Sequence, residues 1–70
     1  MAAILYTSVT RIEFAGPWTH APWGEEGGTV STAGEGATAV LKRAGQPDVV
    51  LDNPPAGTKV SVNGTTAIVE

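Results

Sequence analysis

Cysteine is absent from this 70-residue chain, so neither a disulfide nor a thiolate zinc site can staple it. Positive charge is scarce. Four Lys and Arg face seven Asp and Glu, a formal net charge of -3, which leaves too little positive potential to hold a phosphate backbone or an anionic membrane surface. Nucleic acid and membrane are therefore not expected as partners. Long apolar runs are missing as well: Met1 to Tyr6 and, with Thr38 inside it, Ala37 to Leu41 fall far short of the roughly 20 residues of a membrane span. No basic region precedes the first of them, so no export signal is expected. A chain of about 60 residues buries only about 60% of the surface exposed when unfolded, which limits residues 1–70 to one small domain and makes an outside partner a natural source of stability.

What the chain does have is β-formers set between breakers: nine Thr and eight Val, nine Gly and five Pro. No window of about 11 residues carries an apolar stripe at helical spacing. The expected fold class is all-β, a small antiparallel sandwich or open barrel of about six short strands, with negligible helix. Ile4 to Phe14 reads as one strand, apolar on both faces over Ile4, Leu5 and Tyr6 and alternating with charge at Arg11 and Glu13. A strand start covered on two sides suits contact with another chain. Ala15 to Gly28 holds Pro17, Pro22 and four glycines and reads as a long loop, since proline cannot serve a central strand. Strands are then expected near Thr29 to Ala33, Ala37 to Ala44 and Asp48 to Asp52. Asn63-Gly64 predicts a two-residue hairpin turn that sets Val62 opposite Thr65 and Val60 opposite Ala67.

Candidate chemistry is thin. The single histidine, His20, could join Glu25 and Glu26, but adjacent glutamates in a glycine-rich stretch read more simply as solvated charge, and no metal site is expected. Ser8, Ser31 and Ser61 lack a nucleophile elbow, and Ser31 reads as a hydroxyl on the wet face of a Thr-rich strand. Gly24 to Gly28 and Gly34-Glu35-Gly36 lack the Lys-Ser/Thr ending of a phosphate loop and read as turns. The chain is accordingly expected to be no enzyme and to use no cofactor. More weight falls on Phe14, Pro17, Trp18, Thr19, His20, Pro22 and Trp23. Indoles are enriched in binding hot spots and proline limits the entropy lost on docking; equally, one or both Trp side chains could cap the core.

Three phrases carry a resemblance: Leu5-Tyr6-Thr7-Ser8 with Arg11-Ile12-Glu13-Phe14, Gly36-Ala37-Thr38-Ala39-Val40-Leu41, and Pro55 to Val60. Together they resemble the small head decoration, or cement, proteins of tailed bacteriophages and related short virion β-sandwiches. The chain departs from that pattern between its middle strands, where Gly45-Gln46-Pro47-Asp48 is short and no Trp follows. The resemblance implies a structural virion protein made in the host cytoplasm and located on the capsid surface. It would bind the major capsid protein and self-associate through Ile4, Leu5 and Tyr6, as a trimer by analogy, with a dimer as the other state. A phage tail or connector accessory protein is the alternative within that setting. Outside it, the alternative is a free-standing β module recognising peptide or glycan through Trp18, Trp23 and a sheet edge.

Overall fold

The computed structural model describes residues 3–23 and 27–70. These form eight strands and no helix: β1 (Ile4–Tyr6), β2 (Val9–Ala15), β3 (Trp18–Trp23), β4 (Gly28–Ala33), β5 (Thr38–Arg43), β6 (Gln46–Asp52), β7 (Lys59–Asn63) and β8 (Thr66–Val69). They pair antiparallel in two sheets, a five-stranded one of order β1-β8-β7-β4-β3 and a three-stranded one of order β2-β5-β6. The all-β antiparallel expectation holds, with two more strands than expected.

Both extra strands have a local cause. The stretch from Ile4 to Phe14 is not one strand, because Ser8 takes a left-handed φ of 58° and turns the chain from the five-stranded sheet into the other. Ser8 O accepts from Ala44 N at 2.9 Å, and Val9 N donates to Thr65 O at 2.8 Å, so the crossing is tied at both sides. A bulge between Val9 and Arg11 then resets the alternation. Val9 and Ile12 both belong to the interior group as a result, despite their opposite parity in the sequence. The second extra strand lies within Ala15 to Gly28, where β3 replaces the expected loop. β3 is an edge strand, and there proline is tolerated.

The C-terminal hairpin turns on Gly64 and Thr65, with Asn63 opposite Thr66 and Val62 opposite Ala67. That is two residues from the register expected with Asn63 and Gly64 at the centre. Gly64 alone has a positive φ, 62°, in this turn, the arrangement of a type II′ turn with glycine first. Because the slip is even, each side chain keeps its face. Val60 is fully buried and Val62 packs on the core.

The interior between the sheets is built from small side chains. Among the described residues, Ala33, Ala37, Ala39 and Ala67 are buried with Ser31, and Val9, Leu41 and Val60 are the larger apolar side chains that are buried. Leu41, Val9 and Ala67 form the central cluster, flanked by Tyr6, Ile12, Val49, Leu51 and Val62. Apolar burial contributes about 25 cal/mol per Å², so an alanine-rich interior supports only a modest stability.

Candidate binding face

Hydrogen bonding alternates along an antiparallel ladder, and one anchored pair therefore fixes the direction of its neighbours. Gly34 N donates to Pro17 O at 2.7 Å. With Thr19 opposite Thr32 and Ala21 opposite Val30, the amides of Thr19, Ala21 and Trp23 point towards β4, and Trp18, His20 and Pro22 present theirs to the free edge. The missing N–H of Pro22 thus falls where no strand pairs with it.

Side chains of β3 divide between the faces of its sheet. Trp18 and His20 turn inward, against Phe14 of β2. The Phe14 ring meets each of them edge to face with centroids 4.9 Å apart. The Trp18 indole N–H reaches two carbonyls of the opposite sheet, Thr38 O at 2.8 Å and Ala15 O at 3.1 Å. This indole joins the two sheets at one end of the interior. Thr19, Ala21 and Trp23 face outward, and all three are exposed. Trp23 is 38% exposed and leans over Gly28, whose added Cβ would lie 3.0 Å from Trp23 Cε3 and 2.7 Å from Val62 O. The closest clashes are with backbone, Val62 O and, at 2.9 Å, Trp23 O, so glycine is required at position 28 beside the indole.

The strand registers place Ala21, Val30, Ser61, Ile68 and Leu5 in one row across the outer face of the five-stranded sheet. Leu5 is 61% exposed and Val30 and Ile68 are half-buried. With Trp23 beside it, this row is a band that presents apolar side chains on four of the five strands, with Ser61 of β7, 8% exposed, between Val30 and Ile68. Sequence reading missed Val30 and Ile68, because only the strand order brings them into line with Trp23 and Leu5. The outer face of the other sheet carries the pairs Arg11–Glu13 and Lys42–Asp48, each at 2.7 Å, around Val40 and Val50, the latter 64% exposed. The hydrogen bond from Lys42 to Asp48, then its charge, holds the Lys42 pKa above the ordinary lysine value.

Ser31 is not on a wet face. It is 1% exposed, and its Oγ lies 2.7 Å from His20 Nδ1. A serine hydroxyl beside an imidazole is the start of a nucleophile–base pair, but the burial of Ser31 leaves no approach for a substrate carbonyl to Oγ. The pair ties β3 to β4 instead. Ser31→Ala is expected to cost about 1 kcal/mol, the net worth of one hydrogen bond, with the fold kept; urea unfolding of the two proteins measures it.

Among the described residues no group of three His, Cys, Asp or Glu side chains comes together; Glu25 and Glu26 lie outside the described residues. No helix among the described residues is long and apolar enough to cross a membrane. No family model matches the chain, and neither a curated protein nor a solved structure matches it.

Of the residues expected at a partner interface, then, Thr19 and Trp23 belong to the outer band or its border. Phe14, Trp18 and His20 pack together on the inner side. Pro17 supplies the turn into β3, and Pro22 lies on the free edge. Ile4, Leu5 and Tyr6 make up β1, the opposite edge of the same sheet.

Proposed function

We propose that this protein is a structural binding module that coats a larger assembly, in the manner of a capsid decoration protein docked on a major capsid protein. The observation that carries this reading is the apolar band Trp23, Ala21, Val30, Ile68 and Leu5 on the outer face of a sheet whose inner face rests on an alanine-rich interior. A small domain with a thin interior gains stability from any partner that binds its folded state, and burying an indole and branched side chains supplies the contact. Many symmetry-related copies would multiply a modest individual contact.

Docking needs no chemical step. The indole of Trp23 would enter an apolar depression on the capsid surface while Thr19 and Thr32 at the border of the band pair with exposed polar groups. The test is co-sedimentation of the purified chain with particles from the host that makes it. Saturable binding on the particle surface is the expected result. A chain that remains in the supernatant at all ratios contradicts the reading, and binding to a peptide or glycan array in the absence of particles would replace it with a free-standing recognition module.

A further inference from the structure

Among the described residues the two sheets have four free edges, β1, β3, β2 and β6. An unpaired edge is a template for another strand unless proline, charge or a bulge blunts it. β3 carries Pro22. β2 carries Arg11 and Glu13 with a bulge between Val9 and Arg11. β6 carries Pro47, Asp48 and Asp52. β1 reads Ile4-Leu5-Tyr6, with no charge, proline or bulge. Ile4 is 52% and Leu5 61% exposed, although they lie on opposite faces of the strand.

The direction of the β1 amides follows from the ladder. Lys59 and Glu70 exchange both backbone hydrogen bonds, at 3.0 and 2.9 Å. By alternation, Ile68 bonds to β7, and Val69 and Ala67 bond to their partners Ile4 and Tyr6 in β1. Leu5 is therefore the residue of β1 whose N–H and C=O both point out of the sheet.

We infer that β1 pairs with β1 of a second copy of this chain, antiparallel about a two-fold axis at Leu5. The register is self-complementary. The N–H of each Leu5 meets the C=O of the other, and Ile4 of one copy lies opposite Tyr6 of its mate, as an isologous contact requires. Both Leu5 side chains fall on the outer face, so the apolar rows of the two copies join across one continuous sheet, while the exposed part of Ile4 is covered on the inner face. A partner strand with polar side chains would gain the same two hydrogen bonds but not this match of apolar to apolar on both faces. Three residues per strand bury less than the roughly 1,200 Å² of a standard interface, and the dimer is accordingly weak and concentration-dependent. Its state is a pair, in contrast to the trimer expected by analogy.

The absence of cysteine makes the test direct. Leu5 opposite Leu5 in a hydrogen-bonded pair sets the Cα atoms about 5.5 Å apart, within disulfide reach. Under mild oxidation Leu5→Cys is expected to form a disulfide dimer about tenfold or more faster than Thr19→Cys on the opposite edge strand, since pairing raises the effective thiol concentration. Leu5→Lys, a charge of the kind that blunts edges, should keep the circular dichroism spectrum and remove the rise in sedimentation-average mass with concentration that is expected of the unmodified chain. Cross-linking of Leu5→Cys no faster than that of Thr19→Cys overturns the proposal, whatever the lysine variant does. The pairing does not rest on the particle reading: loss of docking on particles would leave the cross-linking result unchanged, and the reverse also holds.

Discussion

Leu41→Ala is expected to unfold the protein at room temperature. Leu41 has no exposed surface, lies at the centre of β5 and belongs to the cluster formed with Val9 and Ala67. Truncating a buried leucine costs about 2–5 kcal/mol, the larger values arising where the surroundings cannot collapse into the space. Here they cannot, because the neighbours are strands held in register on both sides, Ile12 of β2 and Val49 of β6. A single core in a domain below about 70–80 residues rarely supplies more than 3–5 kcal/mol, so one substitution removes most or all of it. Leu41→Met, which nearly conserves volume, should cost less than about 1.5 kcal/mol and keep a cooperative melt. Urea titrations followed by circular dichroism compare the three proteins. A Leu41→Ala variant with an unshifted midpoint would mean that the interior lies elsewhere.

The two tryptophans should respond in opposite ways. Trp18→Ala is expected to cost about 3–5 kcal/mol, the range for removing a packed aromatic ring. It withdraws the edge-to-face partner of Phe14 and the N–H shared by Thr38 O and Ala15 O, and with it the link between the sheets at that end. Trp18→Phe separates the two contributions, since it keeps a ring and loses only the donor, for about 0.5–1.5 kcal/mol, the net worth of a hydrogen bond whose acceptors water can reach. Trp23→Ala should leave the melting temperature within a few degrees of the unmodified chain. Its predicted effect is on docking, a loss of about 2 kcal/mol, or close to thirtyfold, if its indole is an anchor on the particle. Thermal melts and particle co-sedimentation, run on the same preparations, read both. Retained docking by Trp23→Ala would remove the band from the account, and a stable Trp18→Ala would remove the sheet-joining role.

Why some of this was legible in the sequence and some was not comes down to range. Gly64 required a positive φ and announced a hairpin, and the alternation of Val60 and Val62 with Ser61 and Lys59 set the buried face. Those are contacts between near neighbours. An even slip in register kept the faces right while the pairs were wrong, because a period of two cannot register a shift of two. The break at Ser8 gave no signal, since its left-handed backbone is stabilised from a distance by its tie to Ala44. Pro22 misled for a related reason: proline bars a strand only where its missing N–H is needed, and the strand order places that position on a free edge. His20 and Ser31 are eleven positions apart, and only their pairing across β3 and β4 turns a hydroxyl expected on a wet face into a buried one. The apolar band is the extreme case, assembled from β1, β3, β4 and β8, whose adjacency no local pattern encodes.

We propose that this chain is a structural component present in many copies on a larger particle. Quantitative mass spectrometry of particles purified from the producing host, calibrated on their major shell protein, measures that copy number directly. Repetition over a symmetric shell predicts on the order of hundreds of copies per particle. A dozen or fewer copies would place the chain at a tail or connector, and its absence from the particles would contradict the account.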